Sequence, residues 1–336
     1  VYTVAACTGS ISGSASDLRL ANGLFGKSYS FSAAGGELRL TVATAEAGAA
    51  VWTNPGGGSW SEGANWAAAP GAGAAGLGIG FMDAIAAPAT VTLDSPATAG
   101  SLFFNNANSY TLAGAGGLAL DETNGAPAVT ALLGAHTVAV PLALAEDTAA
   151  AVAAGAELQL AGDVSGAAKL TKTGDGRLLL AGTNTYSGGT DVLKGYLDVA
   201  GASAAGSGPL TFNGGHIAAK GAAGATVANS ATVLQSMQMV TYSPLTLSGG
   251  WTASGNIYLA KMSTNELVVA GSLKPSAGSA NRLELREGAV RFASGADALF
   301  TSSATRECID FRAPASTSVS RSLAVEPGRA YELRIR

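Results

Sequence analysis

The residues that could support catalysis or metal binding are few and far apart in this chain. His136 and His216 are 80 residues apart, and each lies in strand-like sequence. A zinc or catalytic centre would need Asp, Glu or Cys partners at ligand spacing, and the sequence around neither histidine supplies them. We therefore predict no metal site, no cofactor, and histidines that lie on the surface or in turns.

Acidic and basic side chains are concentrated in one part of the sequence. They are Asp163, Asp175, Asp191 and Asp198, with Lys169, Lys172 and Lys194 among them. Two carboxylates on one face, or an Asp/Lys/Arg cluster, could cleave a polysaccharide. Asp is also a common turn residue, because its carboxylate accepts hydrogen bonds from nearby backbone N–H groups. We favour the turn interpretation, and we predict no catalytic residue and no enzymatic activity.

Three tryptophans stand close together near the first third of the chain. Trp52, Trp60 and Trp66 lie within fifteen residues and are bracketed by turn sequences. Their rings could stack on sugars as a carbohydrate platform. Alternatively, they cover the open end of a coil, where they bury a large apolar area that Ala and Gly cannot. We favour the end cap and keep sugar stacking as the alternative.

Two thiols, Cys7 and Cys308, raise the question of a disulfide. In a straight rod they would lie near opposite ends, far beyond the roughly 7 Å between Cα atoms that a disulfide allows. An intersubunit disulfide, from Cys7 of one subunit to Cys308 of the next, would be geometrically natural. The alternative is that both are buried small apolar side chains.

Composition and charge exclude several classes of protein. Of 336 residues, 46 are Gly and 12% are charged, and this charged share is about half the usual one. The formal net charge is −4 with both signs spread along the chain, so we expect no nucleic-acid partner. The longest apolar run, residues 67–91, is broken by Pro70, Pro88 and many glycines, which predicts no membrane insertion.

The elements that must position these residues are short strands separated by turns. The span from Leu158 to Gly201 contains three strand signals, Leu158–Leu160, Arg177–Leu180 and Gly195–Val199. Each is bounded by Gly, Asn, Asp or Ser, and no helical periodicity lies between them. This recurrence predicts a coil in which each strand pairs with its equivalents one turn away.

The same span resembles the passenger-associated repeat of bacterial autotransporters. The residues that carry the resemblance are Lys172, Thr173, Gly174, Gly176, Leu178, Leu180, Gly182, Asn184, Tyr186, Gly188, Gly189, Thr190, Gly195 and Leu197. The resemblance implies a secreted protein, extracellular or on the cell surface of a Gram-negative-type bacterium. It also implies an all-β fold, a right-handed parallel β-helix or β-solenoid, and we expect a more irregular C-terminal end.

This interpretation divides the chain into four segments. Residues 1–43 form an N-terminal β segment that resembles the closing part of a preceding module, and 44–50 are a linker. Residues 51–293 form the parallel β-helix, with the repeat at 158–201, and 294–336 form a divergent C-terminal β segment.

The order of the segments predicts self-association. The segment that resembles the end of a module (residues 1–43) precedes the segment that begins the β-helix (from residue 51). This order is expected in one period of a longer tandem protein, or in a processed subunit whose first strands complete a neighbour's coil. Strand edges at the ends of a coil must be capped or paired. We therefore predict head-to-tail association.

Two function classes remain after these exclusions. The first is an extracellular structural protein, a stiff β-solenoid that serves as an adhesin-type passenger or as a subunit of a head-to-tail fibre or matrix. The second is a β-helical module that binds surface glycans or degrades polysaccharide through a groove on one face. Acids and aromatics clustered on one side of the coil would favour the second class, and uniform small and polar faces the first. The scarcity of catalytic candidates favours the first.

Overall fold

The computed structural model describes residues 2–6, 27–34, 36–44, 49–123, 125–255, 257–276, 282–293, 297–298, 307–311 and 331–335. Within these residues the regular structure is β, apart from a 3₁₀ turn at Gly63–Asn65. None of the described residues belongs to a helix long and apolar enough to span a bilayer.

The strands are numbered in chain order. The first are β1 (Tyr2–Ala6), β2 (Lys27–Ala34), β3 (Glu37–Thr44), β4 (Ala49–Val51), β5 (Gly58–Ser59), β6 (Gly78–Phe81), β7 (Ala89–Thr92), β8 (Ala97–Ala99), β9 (Ser101–Asn105), β10 (Tyr110–Ala113), β11 (Leu118–Leu120) and β12 (Ala128–Leu133). The next are β13 (Ala135–Val138), β14 (Leu142–Leu144), β15 (Thr148–Val152), β16 (Glu157–Leu160), β17 (Val164–Ser165), β18 (Leu170–Thr173), β19 (Arg177–Leu180), β20 (Thr190–Val192), β21 (Tyr196–Val199), β22 (Leu210–Phe212), β23 (His216–Ala219) and β24 (Ala225–Val227). The last are β25 (Ala231–Val233), β26 (Met237–Thr241), β27 (Leu245–Leu247), β28 (Gly250–Ala253), β29 (Tyr258–Met262), β30 (Glu266–Val269), β31 (Ser272–Pro275), β32 (Arg282–Leu285), β33 (Ala289–Phe292), β34 (Asp297–Ala298), β35 (Glu307–Phe311) and β36 (Tyr331–Ile335).

Most of these strands belong to two long parallel sheets. Sheet 1 contains β4, β6, β9, β12, β15, β18, β20, β22, β25, β28, β31 and β34. Sheet 2 contains β5, β7, β10, β13, β16, β19, β21, β23, β26, β29, β32, β35 and β36. A third side of the coil contains β8, β11, β14 and β17 in one sheet and β24, β27, β30 and β33 in another.

The chain visits sheet 1, sheet 2 and the third side in turn, so each strand pairs with the strands one turn before and after it. This is a parallel β-solenoid, and the fold class predicted from the sequence is confirmed. Strands β1, β2 and β3 form an antiparallel sheet instead, in the order β1-β3-β2. Within the segment 294–336, β34, β35 and β36 pair in parallel and extend the two long sheets.

The core consists of ladders of paired apolar residues along the coil. One ladder in sheet 2 contains Leu158, Leu178, Leu197 and Ile217. All four are fully buried, and their positions are 20, 19 and 20 residues apart. Burying each such side chain contributes roughly 1.5–3 kcal/mol relative to exposure, so the repeated stacking of Leu and Ile stabilises every turn of the coil.

The corners between sheet 1 and sheet 2 require glycine at particular positions. Gly174 has a φ of +74°, and a Cβ at this residue would lie 2.2 Å from the carbonyl oxygen of Val152 one turn earlier. Gly195 follows one turn later with a φ of +68°, where a Cβ would lie 2.4 Å from Gly176 O. Only glycine combines this backbone conformation with so close an approach of successive turns.

The third side is interrupted in the middle of the described coil. No strand of the described residues lies on this side between β17 and β24. Tyr186, Ala204 and Ala205 occupy the space, with exposed fractions of 0, 1 and 3%. A large aromatic ring and small side chains therefore close the core where strand pairing is missing.

Candidate functional site

The three tryptophans lie together in the first turn of the coil. Trp66 packs edge-to-face against both Trp52 and Trp60, with ring centroids 4.9 Å apart in each pair. Their exposed fractions are 1, 4 and 6% for Trp52, Trp60 and Trp66. Each indole N–H donates to a backbone carbonyl, at 2.7, 3.1 and 2.8 Å respectively. The cluster has the arrangement expected for an end cap, and the buried rings offer no open face to a sugar.

The same segment covers the outer edge of sheet 1. Ala67 N donates to Val51 O at 2.9 Å, and Thr53 N donates to Asn65 O at 2.8 Å. These bonds form an antiparallel bridge between Trp52 and Trp66 on the side of β4 that faces away from β6. The outer side of β4 is therefore covered at its Val51 end by one antiparallel bridge, and another chain could pair with that end of the strand only after the segment had left it.

The histidines are structural acceptors rather than ligands. His136 has an exposed fraction of 1%; its Nδ1 accepts from Tyr110 N at 3.1 Å, and its Nε2 lies 2.7 Å from Leu133 O. Burial lowers the pKa of His136 and also that of His216, whose Nδ1 accepts from Gln238 N at 3.1 Å. The prediction of a surface or turn histidine is wrong for His136, because a neutral imidazole satisfies a buried backbone donor.

The acidic residues near the repeat have different roles. Asp163 accepts from Thr183 N, 20 positions later, at 2.7 Å and so links two successive turns of the coil. Asp175 forms an ion pair with Lys194 and Asp191 one with Lys169, each at 2.9 Å. The turn interpretation is wrong for Asp191, because this residue lies in β20. Alternate side chains of a strand point to the outside of the coil, and the Asp191 side chain is one of these.

Lys172 lies in β18 and is fully buried. Its ammonium donates to three backbone carbonyls, those of Thr173 and Gly174 at 2.7 Å and that of Lys194, one turn later, at 3.1 Å. Burial lowers the pKa of Lys172 to about 8. This lysine joins the corners of two successive turns.

Lys261 repeats this arrangement elsewhere in the coil, and the sequence analysis did not find it. It is fully buried, and its ammonium donates to the carbonyls of Met262, Ser263 and Glu287. Burial lowers its pKa to about 8. The signal shared with Lys172 is a residue with positive φ two positions later, Gly174 at +74° and Ser263 at +71°.

The outer face of sheet 2 carries a ladder of charged, aromatic and polar side chains, which we call the sheet 2 band. Its members in consecutive turns are Glu157, Arg177, Tyr196, His216 and Gln238. They alternate with the buried residues of the core ladder and therefore point outwards. No sequence pattern identified the band, because its members become neighbours only once the turns of unequal length are aligned.

An ion pair lies at the centre of the band. Arg177 donates to both carboxylate oxygens of Asp198, at 2.8 and 2.6 Å. Asp198 lies in β21 and is fully buried, so the turn interpretation is wrong for this residue too. Burial raises the pKa of Asp198, and the hydrogen bonds from Arg177 oppose that shift. The bidentate geometry holds the guanidinium flat against the sheet.

Aromatic and charged groups surround this ion pair. The Arg177 guanidinium carbon lies 4.5 Å from the centre of the Tyr196 ring and 5.3 Å from that of Tyr242. Tyr196 donates its hydroxyl proton to Gln238 Oε1 at 2.9 Å. Lys220 reaches across the face to both carboxylate oxygens of Glu157, at 2.9 and 2.7 Å. Acids, bases and aromatics are thus clustered on one side of the coil, held by contacts between residues up to 65 positions apart.

Neither cysteine can be placed in a bond. Cys7 lies outside the described residues, and Cys308 belongs to β35, near the end of sheet 2 opposite to β5. The intersubunit disulfide stays a prediction. Within the described ranges, no three His, Cys, Asp or Glu side chains are grouped so that they could hold a metal ion.

Comparison with known protein families matches one part of the coil. Residues 170–199 match the family model of the passenger-associated-transport-repeat. The resemblance stated from the sequence is thereby confirmed for this span. No curated protein and no solved structure matches the chain.

The structure explains several residues of the passenger-associated-transport-repeat. Lys172, Gly174 and Gly195 form the corners described above. Asn184 is buried; its Oδ1 accepts from Val164 N at 2.7 Å and its Nδ2 donates to Ala204 O at 2.5 Å. Asn184 therefore bridges the turns before and after it, at the position where the third side has no strand.

Proposed function

We propose that this protein is an extracellular, non-catalytic passenger-type protein of a Gram-negative-type bacterium, and that its β-solenoid serves as a stiff structural or adhesive element. The observation that carries the proposal is the passenger-associated-transport-repeat at residues 170–199, set in register within a continuous coil. Sheet 2 contains 13 strands in the described residues. At about 4.8 Å per strand spacing the sheet extends about 58 Å.

Pairing of the charged groups supports a non-catalytic role. A general acid or a nucleophilic carboxylate must be free to exchange protons with a substrate or to attack it. Asp198 is instead fully buried under Arg177, and Glu157 binds Lys220 through both carboxylate oxygens. Polysaccharide cleavage is accordingly not part of the proposal, whereas the sheet 2 band favours glycan binding as a second function.

Location on or outside the cell can be tested directly. In intact cells of the source bacterium, we expect an antibody raised against the folded chain to label the surface, or the medium to contain the chain. Mild protease treatment of intact cells should remove the surface signal and leave a cytoplasmic marker protein uncut. A chain found solely inside protease-treated cells would overturn the proposed location.

Head-to-tail association remains part of the proposal and has its own test. Sedimentation and electron microscopy at increasing protein concentration should show filaments, and non-reducing electrophoresis should show a ladder of oligomers if Cys7 and Cys308 join neighbouring subunits. Short monomeric rods at every concentration would count against association. Ala67 and Asn65, which occupy the free edge of β4, would have to leave that edge in a fibre built through it.

A further inference from the structure

A cavity opens beside the sheet 2 band, at the corner between sheet 2 and the third side. Its volume is about 420 Å³, and it is lined by residues of three successive turns. Lys220 follows β23, Tyr242 to Pro244 follow β26, and Asn265 follows β29. Lys220 and Tyr242 belong to both the cavity and the surroundings of the band, so the two features form one continuous surface.

The walls of the cavity are fixed by hydrogen bonds between turns. Asn265 Nδ2 donates to Thr241 O at 3.1 Å and to Tyr242 O at 2.9 Å. Gly221 N donates to Ser243 Oγ at 3.2 Å. The cavity is therefore held open by the same inter-turn contacts that stabilise the coil, and a ligand would not have to order it.

Polar groups on the cavity wall retain unused hydrogen-bonding capacity. Among the described residues, none donates to Asn265 Oδ1, and the Ser243 hydroxyl, which accepts from Gly221, donates to none of them. Lys220 uses two of its three N–H donors on Glu157. The residues that line the cavity thus carry one spare amide acceptor, one spare hydroxyl donor and one spare ammonium donor, and sugar hydroxyl groups can both donate and accept.

Tyr242 adds an exposed aromatic face. Its exposed fraction is 54%, although its ring lies near the Arg177 guanidinium, 5.3 Å from the ring centre. An aromatic ring supported from within and open to solvent is a platform for apolar contact, and a tyrosine loses little conformational entropy when it binds. The outer ladder of sheet 1 offers no comparable surface: its members are Thr171, Asp191, Thr211, Thr232 and Thr252.

The charge of this surface selects among carbohydrates. Lys220 is paired with Glu157 and Arg177 with Asp198, so the two cations next to the cavity are balanced by two carboxylates. The surface therefore offers no net positive charge to attract an acidic sugar, and a neutral sugar needs none. From the ring, the polar groups of the lining residues and this charge balance, we propose that the cavity and the adjoining band bind a neutral oligosaccharide, an inference that rests on the glycan binding proposed above and names its ligand class.

Affinity electrophoresis of the folded protein tests the inference. The gels contain either no polysaccharide, a neutral galactomannan, a neutral β-glucan, or the acidic polygalacturonate. We expect at least one neutral polysaccharide to retard the protein and polygalacturonate not to do so. Tyr242→Ala should weaken this binding about tenfold, which corresponds to the loss of about 1.4 kcal/mol expected for an aromatic contact, and Tyr242→Phe should retain most of it.

Tyr258→Ala is the matched control. Tyr258 is another exposed tyrosine of sheet 2, with an exposed fraction of 39%, and it does not line the cavity. Its removal should leave the retardation unchanged. Retardation by polygalacturonate alone, no retardation in any gel, or equal retardation of Tyr242→Ala and the unchanged protein would overturn the inference. Because none of these readouts depends on where the protein is located, they can fail or succeed independently of the surface-labelling test.

Discussion

At the scale of single residues, the two buried lysines are the most unusual feature of this coil. Lysine side chains are almost never fully buried unless they are paired. Here each ammonium is surrounded by three backbone carbonyls drawn from two successive turns. The carbonyl oxygens at a sharp corner would otherwise lack donors, so Lys172 and Lys261 satisfy groups that the turn itself leaves unpaired.

We predict that Lys172→Met destabilises the protein by about 3 kcal/mol, because it leaves three partly buried carbonyls without the ammonium donor. Lys169→Met is the matched control. Lys169 pairs with Asp191 on the surface, with 40% of its side chain exposed, and its loss should cost about 1 kcal/mol or less. Urea unfolding of both variants at neutral pH measures the difference, and equal losses would contradict the role assigned to Lys172.

Ser263 is held in a conformation that suits glycine better. Its φ of +71° is the only positive value among the non-glycine residues described, and such a conformation costs roughly 1–2 kcal/mol for a residue with a Cβ. We expect Ser263→Gly to raise the free energy of unfolding by about 0.5–1 kcal/mol, since the greater chain entropy of glycine offsets part of the gain. Ser254→Gly, at a serine without positive φ, should lower it. Thermal unfolding of the two variants tests whether Ser263→Gly raises the stability and Ser254→Gly lowers it.

The sequence could predict which residues form turns but not which lysine is buried. Gly174 and Gly195 are recognisable because glycine marks corners wherever they occur. The burial of Lys172 depends on Lys194 O, which lies 22 positions later in the chain and approaches only when the turns are stacked. Local sequence does not show which residues of the next turn lie beside Lys172, so its burial could not be predicted.

At the scale of elements, the first turn of the coil carries its own cover. The edge of a parallel sheet exposes unpaired backbone groups that can recruit another chain. The segment from Asn65 to Ala67 pairs with the free side of β4, and the tryptophan cluster fixes it there. The packing of the three tryptophans therefore holds in place the segment that protects the edge of β4.

We predict that Trp66→Ala both destabilises the protein, by about 3–5 kcal/mol, and promotes self-association by releasing the edge of β4. Trp251→Ala is the control, because Trp251 is equally buried at 1% but lies in β28 within the coil. Trp251→Ala should lower the free energy of unfolding by a similar amount without exposing a strand edge. Sedimentation velocity under conditions in which both variants are folded measures association, and equal association of the two would contradict the prediction.

Strands could be predicted more readily than their alignment. The segment Arg177–Leu180 is a strand in the structure as predicted, and Leu158–Leu160 lies within β16, because apolar runs bounded by turn residues identify them. The sheet 2 band was missed because Arg177, Tyr196 and Gln238 are separated by 19 and 42 positions. Aligning them requires the length of each turn, and those lengths vary.

At the scale of the whole molecule, buried histidines make stability depend on pH. The pKa values of His136 and His216 lie below the ordinary value of 6.5 because burial disfavours the charged ring. Below pH 6.5 the unfolded chain binds protons that the folded protein does not, so the free energy of unfolding falls as the pH is lowered. We expect urea unfolding to show lower stability at pH 5 than at pH 7.5.

The variant His136→Asn isolates one of these groups. The amide oxygen of Asn can still accept from Tyr110 N, but the side chain does not titrate. The difference in stability between pH 7.5 and pH 5 should therefore be smaller than that of the unchanged protein. An unchanged difference would show that His136 does not contribute to the pH dependence.

The missing strands of the third side have a mechanical consequence. Leu178 and Leu197 are 19 positions apart, the smallest spacing between paired strands among the described residues, whereas Leu112 and Val138 are 26 apart. The next turn there has a spacing of 20, the same as that between Ala225 and Leu245 elsewhere in the coil. A shorter circumference encloses a narrower cross-section, and resistance to bending falls steeply as a beam becomes thinner. The passenger-associated-transport-repeat thus contains the shortest turn among the described residues, and we expect a sideways load to bend the coil there first.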